Sequence, residues 1–219
     1  LSKNEIDYFQ NEIVQLIKNF NKKNSKKIKT FSEKTSLVIC YGDSVYSNKI
    51  KSIKVFKKFF QKKLKEYFNT IHFLPFYPSS SDSGFAVKDH YKIDSRIGKW
   101  SDISNFAKKN DIMADIVINH SSARGLWFRN FLREKKPGKD YFLKVNSKFN
   151  VSKVIRPRDH ELLKKINIFK KTEYLWRTFS PDQLDLNFKN PAVLLRFIKI
   201  MINLVNHGVT IFRLDAIAY

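Results

Sequence analysis

The stretch Gly208-Val-Thr-Ile-Phe-Arg-Leu-Asp-Ala-Ile-Ala-Tyr219 sets Arg213 two places before Asp215 at the end of a predicted buried strand. Side chains alternate along a strand, so residues two apart project to the same face. At the C-terminal mouth of a barrel, a guanidinium beside a carboxylate keeps it ionised and oriented, which a nucleophile at a sugar carbon requires. The same two residues also suit a plain structural ion pair. Two more clusters fall at predicted strand ends: Asp82-Ser-Gly-Phe85 with Asp89 and Asp94, and Asp115-x-x-x-Asn119-His120. Alone, a loop aspartate is a common turn former and an Asn-His pair a common capped strand end. Their order along successive strand and helix units gives them weight together.

Those units are read from hydrophobic spacing. Ile6, Phe9, Ile13, Leu16, Ile17 and Phe20 recur in steps of three and four, a helical stripe over residues 5–20. After a Lys-rich connection, Leu37-Val-Ile-Cys40 suits a short strand buried on both faces. Ile53, Phe56, Phe60, Leu64 and Tyr67 repeat at helical spacing, and Ile71-His-Phe-Leu74 forms a second strand stopped by Pro75. A short helix over 101–110, with Ser101 as its cap, leads to a third strand over 112–118. Residues 121–188 break the rhythm and are expected to form an inserted subdomain. Asn190-Pro191 opens a helix to about Asn206, Gly208 ends it, and Val209 to Leu214 is the fourth strand.

Strands alternating with helices indicate parallel β/α units, in an open doubly wound sheet or in half of an eight-stranded barrel. Tyr41-Gly-Asp-Ser-Val, after the first strand, has one glycine and cannot be a dinucleotide phosphate loop. Polar residues instead gather after strands two, three and four, where a barrel builds its site.

Composition narrows the classes of function. The charge of +22 invites a nucleic-acid or anionic-surface reading. However, only nine of the 42 cationic residues are arginine, and the lysines spread over nearly every segment. Duplex readers lean on arginine for paired contacts, so no nucleic-acid partner is expected, and a basic binding module is the rival from another class. No apolar run reaches membrane-spanning length, and the N-terminus lacks the order of a signal peptide. The lone Cys40 makes no internal disulfide, which favours a cytoplasmic location. The chain begins with Leu1 and stops four residues past Asp215, so it reads as a piece of something longer.

With these residues in view, the chain resembles the α-amylase superfamily, glycoside hydrolase family 13. Asp115-Ile-Val-Ile-Asn119-His120 is similar to its first signature, and Gly208 to Asp215 to its second. Phe85-Ala-Val-Lys-Asp89-His-Tyr-Lys-Ile-Asp94 with Gly98 is similar to the segment after barrel strand two, and Gln183-Leu-Asp-Leu-Asn187 to the motif closing the inserted domain B. Starch-acting members carry a Lys-His pair shortly after the nucleophile, where this chain has Ala218-Tyr219. Leu74-Pro-Phe-Tyr-Pro-Ser-Ser-Ser-Asp82, Arg156-Pro-Arg158 and Trp176 to Gln183 are similar to sucrose phosphorylases and glucosylglycerate phosphorylases.

The resemblance implies a fold class: α/β, the N-terminal half of a (β/α)8 TIM barrel with domain B inserted after strand three. It implies an extension over 1–34, barrel units over 35–120, domain B over 121–188, and the third barrel helix and fourth strand over 189–219. Asp215 would be the nucleophile forming a covalent glucosyl-enzyme, with Arg213 keeping it charged. Asp82 and His120 would hydrogen-bond the glucose, Phe85 and Tyr219 would wall its apolar face, and Arg156 or Arg158 would meet phosphate. Asp115, Asn119 and Asp89 would be structural neighbours of the site. The implied reaction takes a small α-glucoside, sucrose or glucosylglycerate, and inorganic phosphate to α-glucose 1-phosphate, with no cofactor and no metal. An α-glucosidase or transglucosidase differs only in what resolves the intermediate. The second carboxyl group, acid then base about 5 to 5.5 Å from the nucleophile, is expected after barrel strand five, past Tyr219.

Overall fold

The structure, a computed structural model, describes residues 2–23, 31–155, 158–168 and 171–219. Arg156, one of the expected phosphate contacts, lies outside the described residues. The chain divides into two compact units. The first comprises Leu1–Phe76, Tyr91–Ile116 and Leu194–Arg213; the second comprises Tyr77–His90, Val117–Val193 and Leu214–Tyr219. The stretch expected as an inserted domain, 121–188, falls within the second unit, which also takes in the loop after Phe76 and the C-terminal residues.

The first unit is built on strands β1 (Leu37–Cys40), β2 (Thr70–Phe73) and β3 (Asp111–Val117), joined by helices α2 (Ser52–Lys63) and α3 (Trp100–Ala107). β1 pairs with β2 and β2 with β3, both parallel, and β9 (Ile211–Asp215) adds next to β3. The helices pack aromatic residues onto this sheet. Phe56, Phe60, Phe73 and Phe106 are all buried, with ring centroids 5.4 Å apart for Phe56 and Phe73 and 5.5 Å for Phe60 and Phe106. Burying each such ring contributes about 1.5–3 kcal/mol, so this cluster anchors the unit.

Helix α5 (Pro191–Asn206) starts as its sequence requires: Asn190 Oδ1 accepts the Ala192 N–H at 3.0 Å and Pro191 follows at the first turn. It ends in a Schellman turn, with Gly208 N donating to Val205 O at 2.9 Å and Val209 N to Leu204 O at 3.1 Å. Gly208 takes φ +96° there, a conformation that side chains rarely adopt. Helix α1 (Lys3–Lys23) half-buries Phe9, Ile13, Leu16 and Phe20, and an ion pair at 3.3 Å joins its Glu12 to Lys199 of α5.

Several expectations need correction. Within these 219 residues β1 is not covered on both faces: Ile39 is 59% exposed. Within the same residues Leu214 of β9 is also exposed. Helix α2 ends at Lys63, so Tyr67 is exposed in a following turn instead of continuing the apolar stripe. Ser101 does not cap α3. The helix starts at Trp100, and Asp102 Oδ2 takes the Lys99 N–H at 3.1 Å, because a carboxylate in the first turn meets the free N–H groups there.

Among its described residues the second unit has two small antiparallel sheets and helix α4 (Leu126–Leu132). Strand β4 (His120–Ser122) pairs with β8 (Gln183–Asp185), setting His120 against Asp185 and Ser122 against Gln183. Strand β7 (Lys171–Trp176) lies between β5 (Lys144–Val145) and β6 (Leu163–Ile168). The core is aromatic: Trp127, Phe128, Phe131, Tyr141 and Phe142 are buried, and the His90 ring stacks on Trp127 at 5.3 Å.

Candidate active site

In the first unit, strand periodicity builds a charged network. His72 faces Met113 in the β2–β3 register, and Asp115 lies two residues further along β3, on the same face as Met113. The His72 imidazole Nε2 is 2.8 Å from Asp115 Oδ2, both side chains being almost wholly buried. Asp115 Oδ1 accepts from the Arg213 guanidinium. Asp115 is therefore a fully buried mid-strand acceptor rather than a strand-end residue, because β3 continues to Val117.

The second unit holds the remaining candidates. Asp82 and Ser83 form a turn at φ +55° and +49°, a region costing of order 1–3 kcal/mol for each non-glycine residue. Flanking serines hold that turn. Ser80 and Ser81 hydroxyls donate to Asp182 Oδ2, Ser81 at 2.8 Å, and Ser80 Oγ is 2.6 Å from Ser122 Oγ. Asp82 itself is exposed, and its Oδ2 accepts from Gln183 Nε2 at 2.9 Å.

The same amide nitrogen is 2.9 Å from Nε2 of His120, which is 1% exposed. Burial pushes the His120 pKa down to about 4, against the opposing pull of the Phe85 carbonyl and the Asp82 charge. The imidazole is thus neutral at pH 7. His120 also touches Phe179 at 5.2 Å between ring centroids, and Phe179 meets Tyr219 edge-on at 5.1 Å. Contacts therefore run from Asp82 through Gln183, His120 and Phe179 to Tyr219, four residues past Asp215. Asp215 is half-buried at the end of β9, and Ala216 after it bends at φ +53°.

Asn119 and Asp89 stand beside this chain of contacts. The Asn119 carbonyl accepts Leu186 N at 2.8 Å, and its side chain bonds Asp185. Asp185 also accepts Thr178 N and Oγ1 at 2.9 and 2.6 Å; burial pushes its carboxyl up, partly offset by these bonds. Asp89 is half-buried next to His90, whose pKa burial pushes down to about 4. Arg158 is exposed. Sequence reasoning missed His72, Phe179, Asp182 and the role of Gln183. His72 was signalled by a titratable residue in an otherwise apolar strand; the others are brought in by pairing between distant segments.

An exposed carboxylate, a neutral imidazole and an amide suit hydroxyl groups, and the flanking aromatic rings suit the C–H face of a sugar. Comparison with known proteins identifies the family and the fold. Residues 61–219 match the family model described as alpha amylase, catalytic domain. The chain is 39% identical over 189 residues to a glucosylglycerate phosphorylase of Allomeiothermus silvanus, covering 86% of this chain and 34% of that protein. It is 37% identical over 192 residues to the glucosylglycerate phosphorylase of Escherichia coli K12, covering 87% and 34%. The crystal structure of sucrose 6F-phosphate phosphorylase from Thermoanaerobacter thermosaccharolyticum superposes with a TM-score of 0.77 at 28% identity, over 87% of this chain and 41% of that one. The chain thus spans about a third of the length of the curated relatives it matches. The parallel sheet β1-β2-β3-β9 with its helices is part of a (β/α)8 barrel, and on the match over residues 61–219 this chain belongs to the α-amylase family.

Proposed function

We propose that the protein is a retaining glycoside phosphorylase that moves glucose from a small α-glucoside, sucrose or glucosylglycerate, to inorganic phosphate. The observation carrying this reading is the run of contacts in the second unit from Asp82 through Gln183 and His120 to Tyr219, which pairs hydroxyl-binding groups with aromatic rings. The names of the relatives support the substrate class.

In this reaction an Asp215 carboxylate oxygen attacks C1 of the glucosyl unit as the C1–O bond to the leaving alcohol breaks. The leaving oxygen takes a proton from a second carboxyl group, expected past Tyr219. A phosphate oxygen then attacks C1, the bond to Asp215 breaks, and the second carboxylate takes the phosphate's proton. Arg213, on the same strand as Asp215, keeps the carboxylate charged. Arg158, with Arg156, is proposed to receive phosphate through paired guanidinium donors. A cytoplasmic setting is part of this reading, since the single Cys40 is a free thiol and makes no internal disulfide.

The test is to incubate the full-length protein with sucrose and with glucosylglycerate, with and without phosphate, and to assay glucose 1-phosphate. Its formation only with phosphate is the expected result. Glucose release at a phosphate-independent rate would replace the phosphorylase reading with a hydrolase. The 219-residue chain alone is expected to turn over no α-glucoside; measurable phosphorolysis by it would refute the need for a carboxyl group past Tyr219.

A further inference from the structure

His72 is a titratable side chain set among apolar neighbours. In the strand registers it faces Ile39 of β1 and Met113 of β3, and it is 3% exposed. By strand alternation, the titratable and charged residues on this face are His72 of β2, Asp111 and Asp115 of β3, and Arg213 and Asp215 of β9, while β1 brings Leu37 and Ile39. Among the described residues, the hydrogen bond of His72 goes to Asp115 Oδ2, at 2.8 Å. A carboxylate only accepts, so Nε2 of His72 carries the proton in this bond. Asp115 gives its other oxygen, Oδ1, to the Arg213 guanidinium. Each oxygen thus has its own donor, one from β2 and one from β9. A buried ionic cluster often adds no stability over apolar residues of like volume. What this one adds is a fixed carboxylate angle.

We propose that His72 is a positioning residue for glucosyl transfer: by holding Asp115 Oδ2 it keeps the Arg213 guanidinium available to Asp215, two places on along β9. This rests on the glycoside reading above, in which Asp215 is the nucleophile. A guanidinium pairs most strongly with a carboxylate through two parallel N–H donors, one on each oxygen. With Oδ2 occupied by His72, Asp115 takes only one of them, and the rest of the fork is not drawn onto it. Without His72, Asp115 offers both oxygens and the guanidinium turns onto them. Asp215 then loses the cation that holds it charged and oriented. His72 touches neither sugar nor nucleophile; it acts through Asp115 and Arg213.

The experiment uses the full-length protein with α-glucosyl fluoride and phosphate, a donor whose fluoride leaves without a proton, so the rate reads the nucleophile. Three variants differ in reach. His72→Met keeps the length but has no donor; His72→Gln sets an amide N–H where the imidazole Nε2 stood; His72→Asn carries the same amide on a stem too short to arrive. His72→Met is expected to lose about tenfold in kcat with the donor KM nearly unchanged, because Asp82 and His120 still hold the glucose. The acid limb of its kcat/KM profile, which reports the nucleophile of the free enzyme, should move up by about one pH unit, as for a carboxyl that loses a neighbouring cation. His72→Gln should return both readings to wild type, and His72→Asn should not.

An unmoved acid limb in His72→Met, or a kcat loss that His72→Gln does not restore, would mean that His72 only supports the fold and would overturn the proposal. If His72→Met folds poorly, His72→Asn gives the same comparison; failure of both to fold while His72→Gln folds normally would also show a purely structural role. Should wild type transfer no glucose from the fluoride, the glycoside reading falls and takes this assignment with it. An active wild type whose variants do not follow this pattern sinks this assignment alone.

Discussion

The buried network at Asp115 gives the most direct test of the physical argument. Asp115 is 0% exposed and accepts from His72 at 2.8 Å and from Arg213, whose side chain is 43% exposed. Removing one member of a buried charged pair costs about 3–5 kcal/mol, because the partner is left uncompensated. Asp115→Ala should therefore fall within that range. Asp115→Asn should cost only about 1 kcal/mol. Its amide oxygen can still accept from Arg213, and its NH2 can donate to His72 if the imidazole moves its proton to the other nitrogen. Urea unfolding of the full-length protein would read both values from midpoints at constant m. A double-mutant cycle with Arg213→Ala should give a coupling of about 1–3 kcal/mol. Strict additivity, or an Asn variant as unstable as Ala, would refute this account of the network.

Acid sensitivity follows from the two buried histidines. His120 and His90 have folded pKa values of about 4, below the unfolded value of 6.5. The unfolded chain therefore binds more protons between those values, so stability is full above pH 6.5 and falls as pH drops toward 4, by up to about 3 kcal/mol for each group. Urea midpoints at pH 7.5 and pH 5 should differ accordingly, and His120→Gln should flatten the slope; equal midpoints would contradict the burial argument. Asp215→Ala should abolish turnover; residual activity within tenfold of wild type would remove Asp215 as nucleophile. Gly208→Ala should cost roughly 1–3 kcal/mol, because φ is +96° and an added Cβ would overlap Ala107, as thermal unfolding would register. Arg158→Ala should raise the KM for phosphate about tenfold with the donor KM unchanged; an unchanged phosphate KM would exclude this arginine.

The hydrophobic spacing located the β/α units to within a few residues because each helix and strand of the first unit buries one regular set of side chains. Phe56 and Phe60 were visible in a stripe, and both are buried in the packed cluster. Hydrophobic spacing is less regular where burial is partial. Leu163-Lys-Lys-Ile-Asn-Ile168 and Lys171-Thr-Glu-Tyr-Leu-Trp176 are strands with lysines on open faces, and no alternation of class marks them. β1 and β9 read as buried because their residues are apolar, although within these 219 residues Ile39 and Leu214 are exposed.

Of the candidate site, the sequence by itself determined the chemical types: an Arg-x-Asp strand end, an aspartate in a serine-rich turn, a histidine after the third barrel strand, and the family they resemble. These are local, since spacing along one element sets which face a side chain takes. Only tertiary structure decided the partners. The β2–β3 register brought His72 to Asp115, and the β4–β8 pairing brought Gln183 between Asp82 and His120, across 101 and 63 residues of chain. Hydrogen bonds over such separations depend on which strands lie side by side, a choice made by the packing of the whole unit rather than by any short stretch of residues.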